Sequence, residues 1–204
     1  MGVFLVQEPR CVFIHLPKTG GASIRHGFFK NKIEGPTQGH VPDEWNGLFK
    51  FAFVRNPYDR IISAWKMFAS GMEQTVWEHP QDEAGIDLHR FLEIVTDESI
   101  PFDGARKTTH RKIRHHGIPQ THPYNCLQHA DYIGRFENLA GDFQEVCKKI
   151  GIDKCELPHW NRTDRSNEYM QYFDNQSLSV VNEFFAEDFS KLEYKTKSAT
   201  KSST

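Results

Sequence analysis

The residues of this chain whose types and spacing suit chemistry begin at Pro17. The stretch FIHLPKTGGASIRH, Phe13 to His26, runs an apolar segment into Pro17-Lys18-Thr19-Gly20-Gly21-Ala22-Ser23 and then into a helix-like segment. A buried strand feeding a glycine turn and a helix N-terminus turns backbone N–H groups toward one point, which suits phosphate or sulfate. Lys18 would stand at the mouth of the turn as a point cation, with the N–H groups of Thr19 through Ser23 and the Ser23 hydroxyl around the anion. The spelling differs from the phosphate loop G-x-x-x-x-G-K-[ST], in which lysine follows the glycines. Taken alone, the stretch also fits an ordinary strand-turn-helix with a surface lysine.

A second stretch, FAFVRNPYDRIISAW from Phe51 to Trp65, places Arg55 at the carboxyl end of a strand and before a capped helix. That is where open α/β sheets bind ligands, and an arginine there can grip a phosphate bidentately. Ser63 lies roughly opposite the Ile61, Trp65 and Phe68 stripe, so periodicity makes it solvent-facing, with a role only for a ligand along the helix's polar side.

The elements that must hold these residues follow from pattern. Cys11 to Leu16 reads as a buried strand, Gly21 to Phe29 as a helix, and Phe49 to Val54 as a second strand. Asn56-Pro57 opens a helix expected to run to about Ala69, with Gly71 as its stop. A helix is expected around Asp87 to Val95, a strand over Asp131 to Phe136 and a helix over Asn138 to Ile150. A last helix over Gln176 to Leu192 carries Leu178, Val181, Phe185, Phe189 and Leu192 on one stripe. The segment Arg106 to His116 is dense in positive charge and reads as a cationic loop, suited to an anionic substrate or simply solvated. The tail from 195 to 204, KTKSATKSST after Tyr194, is expected to be disordered. Strands alternating with helices predict an α/β fold, a parallel sheet flanked by helices on both faces, in a single domain.

Bulk properties narrow the function classes. At 204 residues and 38% hydrophobic content the chain is long enough for one buried core and short for two. A formal charge of −2 supplies no global field that would select nucleic acid or a membrane surface, so anion binding must be local. The N-terminus, MGVFLVQEPRCVFIHL, has neither the basic-then-apolar layout of a signal peptide nor the length of an anchor. The four cysteines, Cys11, Cys126, Cys147 and Cys155, form no C-x-x-C pair and are expected to be reduced, mostly buried thiols in a cytoplasmic protein. Metal spacing is absent too: the nearest group, His110, His115 and His116, sits in a strongly cationic segment.

Together the two stretches resemble the sulfotransferase family, in particular the carbohydrate-type branch that includes heparan sulfate 2-O-sulfotransferase and many short bacterial members. HLPKTGGAS resembles the family's 5′-phosphosulfate loop, with Ala22 where threonine is frequent, and VRNPYDRIISAW its 3′-phosphate motif. Asp131-Tyr-Ile-Gly-Arg-Phe-Glu-Asn-Leu139 extends the likeness more weakly. The resemblance implies a P-loop-like fold and 3′-phosphoadenosine-5′-phosphosulfate (PAPS) as donor, with its bisphosphate (PAP) as product and no metal. It implies Lys18 as the catalytic cation at the leaving phosphate, Pro17 to Ser23 around the 5′-phosphosulfate, and Arg55 with Ser63 at the 3′-phosphate. Arg135 would approach the nucleotide or pair with Glu137 or another acid. The acceptor hydroxyl would lie on a carbohydrate or another small hydroxylated metabolite. Carbohydrate-type members place a histidine between the two donor motifs, which makes His40 the base, with Asp43, Glu44 and His15 as substitutes. Competing readings are a nucleotide kinase or other P-loop phosphotransferase, which the lysine-before-glycine order opposes, and a non-catalytic nucleotide-binding module.

Overall fold

The computed structural model describes residues 2–70, 85–101, 108–153, 155–157 and 168–198. Gly71 and the start of the cationic segment lie outside these residues. The chain divides into two compact units, one of residues 1–56 and 120–164, the other of residues 57–119 and 165–204.

The first unit is built on a five-stranded sheet. Its strands are β1 (Gly2–Val6), β2 (Cys11–His15), β3 (Ile33–Thr37), β4 (Lys50–Val54) and β5 (Tyr132–Arg135), in the spatial order β3-β1-β2-β4-β5. β2, β4 and β5 run parallel, as expected, whereas β1 is antiparallel to both β2 and β3. The all-parallel sheet is therefore corrected to a mixed one. The physical reason is the connection between β1 and β2, residues 7–10, which is long enough for a hairpin and far too short for a parallel crossover. β4 is buried at every position, as a central parallel strand requires.

A π-type helix over Ser23–Phe29 follows β2, and α4 (Leu139–Lys149) follows β5. Both feed an aromatic core with the strands: the Phe13 and Phe51 rings stack at 5.0 Å, and Phe28 meets Phe143 edge-on at 4.9 Å. Each buried phenylalanine of this kind contributes roughly 1.5–3 kcal/mol. Cys147, on α4, and Cys155 form a disulfide, which corrects the expectation of reduced thiols at those two positions. Cys11 and Cys126 are buried free thiols, and burial pushes the Cys11 thiol up to about 12.

The second unit is helical: α1 (Pro57–Ala69), α2 (Leu88–Thr96), α3 (Thr109–Gly117), α5 (Asn175–Phe184) and α6 (Ala186–Lys191). α1 begins at the proline and ends at Ala69, as its punctuation indicates. Asp87 caps α2 by accepting from the Arg90 N–H at 2.8 Å, and Asp174 caps α5 in a reciprocal capping box with Ser177. The expected single C-terminal helix is broken at Phe185, but all five members of its stripe are buried. The cationic segment is a helix over the described residues, with Thr108 as its cap and Ile113 in the core. Arg114 faces inward, donating to the carbonyls of Glu98 and Ile100. Residues 195–198 are exposed, yet the Lys197 backbone accepts from Asn182 Nδ2 at 3.0 Å and donates to the Tyr58 hydroxyl at 2.7 Å, so this part of the tail is anchored.

Among the described residues no helix is long and apolar enough to cross a membrane.

Candidate active site

Strand direction decides which candidate residues meet. β2 and β4 are parallel neighbours in register, with Ile14 opposite Ala52, so the turn after His15 and Arg55 after Val54 emerge side by side. β4 and β5 are parallel with Val54 opposite Arg135, which brings Arg135 to the same end. β1 runs opposite to both β2 and β3, and Val3 pairs with Ile14 on one side and Thr37 on the other. The loop that leaves Thr37 and carries His40 therefore opens at this end as well, two strand spacings from β2, or ~10 Å. Four of the candidates, Lys18, Arg55, Arg135 and His40, thus come from four strands of one sheet end.

The turn is tightly specified. Thr19 is fully buried and its hydroxyl donates to the Leu16 carbonyl at 3.0 Å, so that hydroxyl closes the turn. Lys18 takes a left-handed backbone, φ 67°, and Gly20 follows at φ 86°. Gly21 must be glycine for a different reason: an added Cβ would overlap the His15 imidazole. His15 is itself fixed by stacking on Phe13, ring centroids 5.4 Å apart, and by Arg25 Nη1 at 3.5 Å from its Nδ1. It is a wall of the turn. Gly21→Ala is therefore expected to cost about 1–3 kcal/mol as an overpacked site, measured by denaturant unfolding. A neutral result would mean that His15 swings away at no cost.

The Ser23 N–H donates to the Gly20 carbonyl at 3.1 Å, which takes it out of the expected anion cradle and leaves the amides of Thr19 to Ala22 as the candidates. Pro17 is buried at the entry to the turn.

Arg55 is 5% exposed and engaged at several points. Nη1 donates to the Lys18 carbonyl at 3.0 Å, and the guanidinium lies 4.0 Å above the Phe136 ring. Gln120 grips its backbone from both sides, Oε1 accepting from the Arg55 N–H at 2.8 Å and Nε2 donating to the Arg55 carbonyl at 2.9 Å. Glu137 accepts from the Asn56 N–H at 2.6 Å, and the Arg135 N–H donates to Asp142 at 2.5 Å. Gln120 is fully buried and was not singled out from the sequence, where a lone glutamine after Pro119 carries no pattern.

His40 is exposed, with its Nδ1 3.1 Å from the Gln38 carbonyl. A carbonyl only accepts, so Nδ1 carries the proton and Nε2 keeps the lone pair a base needs. The Thr37 hydroxyl donates to the His40 carbonyl at 2.9 Å, and Tyr124 donates to Gln38 at 3.0 Å. Asp43 and Glu44 stand on a short helical turn further along the same loop.

Ser63 belongs to the helical unit and is 4% exposed, which corrects its expected solvent-facing position. α1 buries Ile62 and Ala64 as well as Ile61, so burial extends well beyond the apolar stripe.

A family profile described as the sulfotransferase family matches residues 10–195, across both units. The chain belongs to the sulfotransferase family. Among curated proteins, carbohydrate sulfotransferase 11 of Danio rerio is 20% identical over 233 aligned positions, covering 92% of this chain and 64% of that protein. The chain therefore spans under two thirds of that relative's length. No solved structure matches it. The family match supports the resemblance carried by the Pro17–Ser23 turn and the Arg55 motif.

Proposed function

We propose that this chain moves a sulfuryl group from PAPS to a hydroxyl of a carbohydrate. Three findings support the reading: family membership, the name of the relative, and the turn itself. The turn is the observation that carries it, because a lysine held left-handed before two glycines, with its carbonyl bound by Arg55, is far more specified than a surface lysine on an ordinary turn needs. PAPS would supply the sulfuryl group and, in its bisphosphate, the leaving group.

The residues divide the work by position. The amides of Thr19 to Ala22 would hold the 5′ side of the donor, and the Lys18 ammonium would offset the negative charge that develops on the leaving oxygen. Arg55 and Arg135, at the neighbouring strand ends, add positive charge on the side where the nucleotide would lie. His40 Nε2 would take the proton of the acceptor hydroxyl as its oxygen attacks sulfur. Sulfuryl transfer of this kind depends on in-line placement and charge stabilisation more than on a covalent contribution from the protein.

The experiment is transfer of labelled sulfate from PAPS to a panel of neutral and acidic polysaccharides. The wild type is expected to label at least one of them. His40→Ala should then lower turnover by about 100-fold or more with bisphosphate affinity kept. Unchanged turnover in that variant would move the base role to Glu44 or His15, and no labelling of any hydroxylated acceptor would count against the reading as a whole.

A further inference from the structure

Arg55 stands in a motif whose resemblance assigns it to the 3′-phosphate, yet its guanidinium donates to the Lys18 carbonyl, in the turn that the same resemblance assigns to the 5′-phosphosulfate. We propose that Arg55 is a positioning residue for the 5′-phosphosulfate turn: its guanidinium sets the peptide between Lys18 and Thr19 so that the first amide of the cradle faces the anion. The ligand part of this proposal rests on the donor-site reading above; the conformational part does not.

A left-handed lysine is unfavourable and persists only where its surroundings over-determine it. One contact that holds Lys18 is the bond from Arg55 Nη1 to its carbonyl, 3.0 Å, made by a guanidinium that is itself 5% exposed and centred 4.0 Å over the Phe136 ring. In a planar trans peptide the N–H points opposite to the C=O, so fixing the Lys18 carbonyl against Arg55 directs the Thr19 N–H away from Arg55 and into the turn. Phe136 serves both partners, because the same ring that carries the guanidinium also packs beside Gly20, where an added Cβ would come within 3.2 Å. Gln120 completes the support by clamping the Arg55 backbone at both N–H and carbonyl. Lysine at position 55 would keep the charge but lose the planar guanidinium over Phe136 and its forked donor geometry.

The proposal separates from a simple 3′-phosphate grip by where the damage falls. The first arm reads the turn without any ligand: digestion of the folded protein with a protease specific for lysine, following cleavage between Lys18 and Thr19 against cleavage after Lys148 and Lys149. Arg55→Ala, Arg55→Lys and Phe136→Leu are each expected to speed cleavage at Lys18 about tenfold or more relative to those sites, the opening expected when one hydrogen bond to a charged group is lost. The second arm reads affinity for adenosine 5′-phosphosulfate, which lacks the 3′-phosphate, beside adenosine 3′,5′-bisphosphate. Arg55→Ala is expected to weaken both by about tenfold or more, and Arg55→Lys to weaken the phosphosulfate with the smaller loss on the bisphosphate. Unchanged cleavage at Lys18, with a loss confined to the bisphosphate, overturns the proposal. Should Arg55→Ala not fold, Phe136→Leu decides, since it leaves every charge in place. If the wild type binds neither adenylate, the donor-site reading fails, and the cleavage arm alone decides the role of Arg55.

Discussion

Replacing Lys18 by glycine is expected to lower sulfuryl transfer by about 100- to 1,000-fold while leaving the fold as stable as before or more so. Lys18 occupies a left-handed backbone, φ 67°, where an L-residue is disfavoured by about 1–2 kcal/mol and glycine is not. Relief of that strain is offset in part or whole by the greater freedom of glycine in the unfolded chain, about 0.5–1 kcal/mol, so the net gain is about 0–1.5 kcal/mol. The carbonyl that Arg55 binds remains in the glycine variant, and the turn keeps its shape. What disappears is the ammonium, and removal of one group that stabilises developing charge costs about 100- to 1,000-fold in turnover. Lys18→Ala should lose turnover to the same degree without the gain in stability. Paired unfolding and transfer measurements on the two variants check this. Full turnover in Lys18→Gly would mean that the strained lysine has no electrostatic role.

The second large effect falls on stability, within the helical unit. Arg60 on α1 is completely buried, and its guanidinium closes the C-terminus of α3 by donating to the carbonyls of His116 at 3.1 Å, Gly117 at 3.4 Å and Ile118 at 2.6 Å. A helix C-terminus leaves its last carbonyls without partners and carries partial negative charge, so a cation there answers both needs. Arg60→Ala removes the donors and opens a cavity beside Phe185, whose ring lies 5.5 Å from the guanidinium. The expected loss is about 3–5 kcal/mol, or roughly 10 °C in melting temperature for a chain of this size. Arg60→Met fills much of the volume and should cost less, about 1–3 kcal/mol, which isolates the orphaned carbonyls. Equal stability of wild type and Arg60→Ala would show that water satisfies those carbonyls at no cost.

What was legible in the sequence was local. The Asn56-Pro57 start of α1, the apolar stripe of α5 and α6, and the strands on either side of the glycine turn are all written in short-range pattern, and the structure has them where the pattern puts them. Features set by distant partners were not. α3 reads as a cationic run, suited to an anionic substrate or simply solvated, because only Ile113 is apolar within THRKIRHHG; its Arg114 faces inward to backbone carbonyls that no periodicity reveals. β3, with Gly35 and Pro36 inside it, has the composition of a loop and survives as a strand only at the sheet's edge. The pairing of Cys147 with Cys155 depends on how the chain turns after α4, and eight residues of spacing do not declare it.

The site shows the same division. Lys18, Arg55 and His40 were nameable from residue type, motif order and resemblance, and strand register gathers them at one sheet end. The bond between Arg55 and the Lys18 carbonyl joins residues 37 apart in the chain, and the Gln120 clamp joins residues 65 apart. Such contacts exist only once the sheet has formed, so motif reading assigns Arg55 to a ligand when the fold gives it a second partner. Ser63 errs the other way: a helix buried on more than its apolar stripe hides a serine that periodicity leaves in water.

Isothermal calorimetric titration with adenosine 3′,5′-bisphosphate, run beside ATP and AMP with and without magnesium, reads the proposed donor site itself. Tight binding of the bisphosphate that does not depend on magnesium is expected, with much weaker binding of ATP and AMP. Equal or tighter binding of ATP that requires magnesium would contradict the donor-site reading and make the Pro17–Ser23 turn a phosphate loop of another kind.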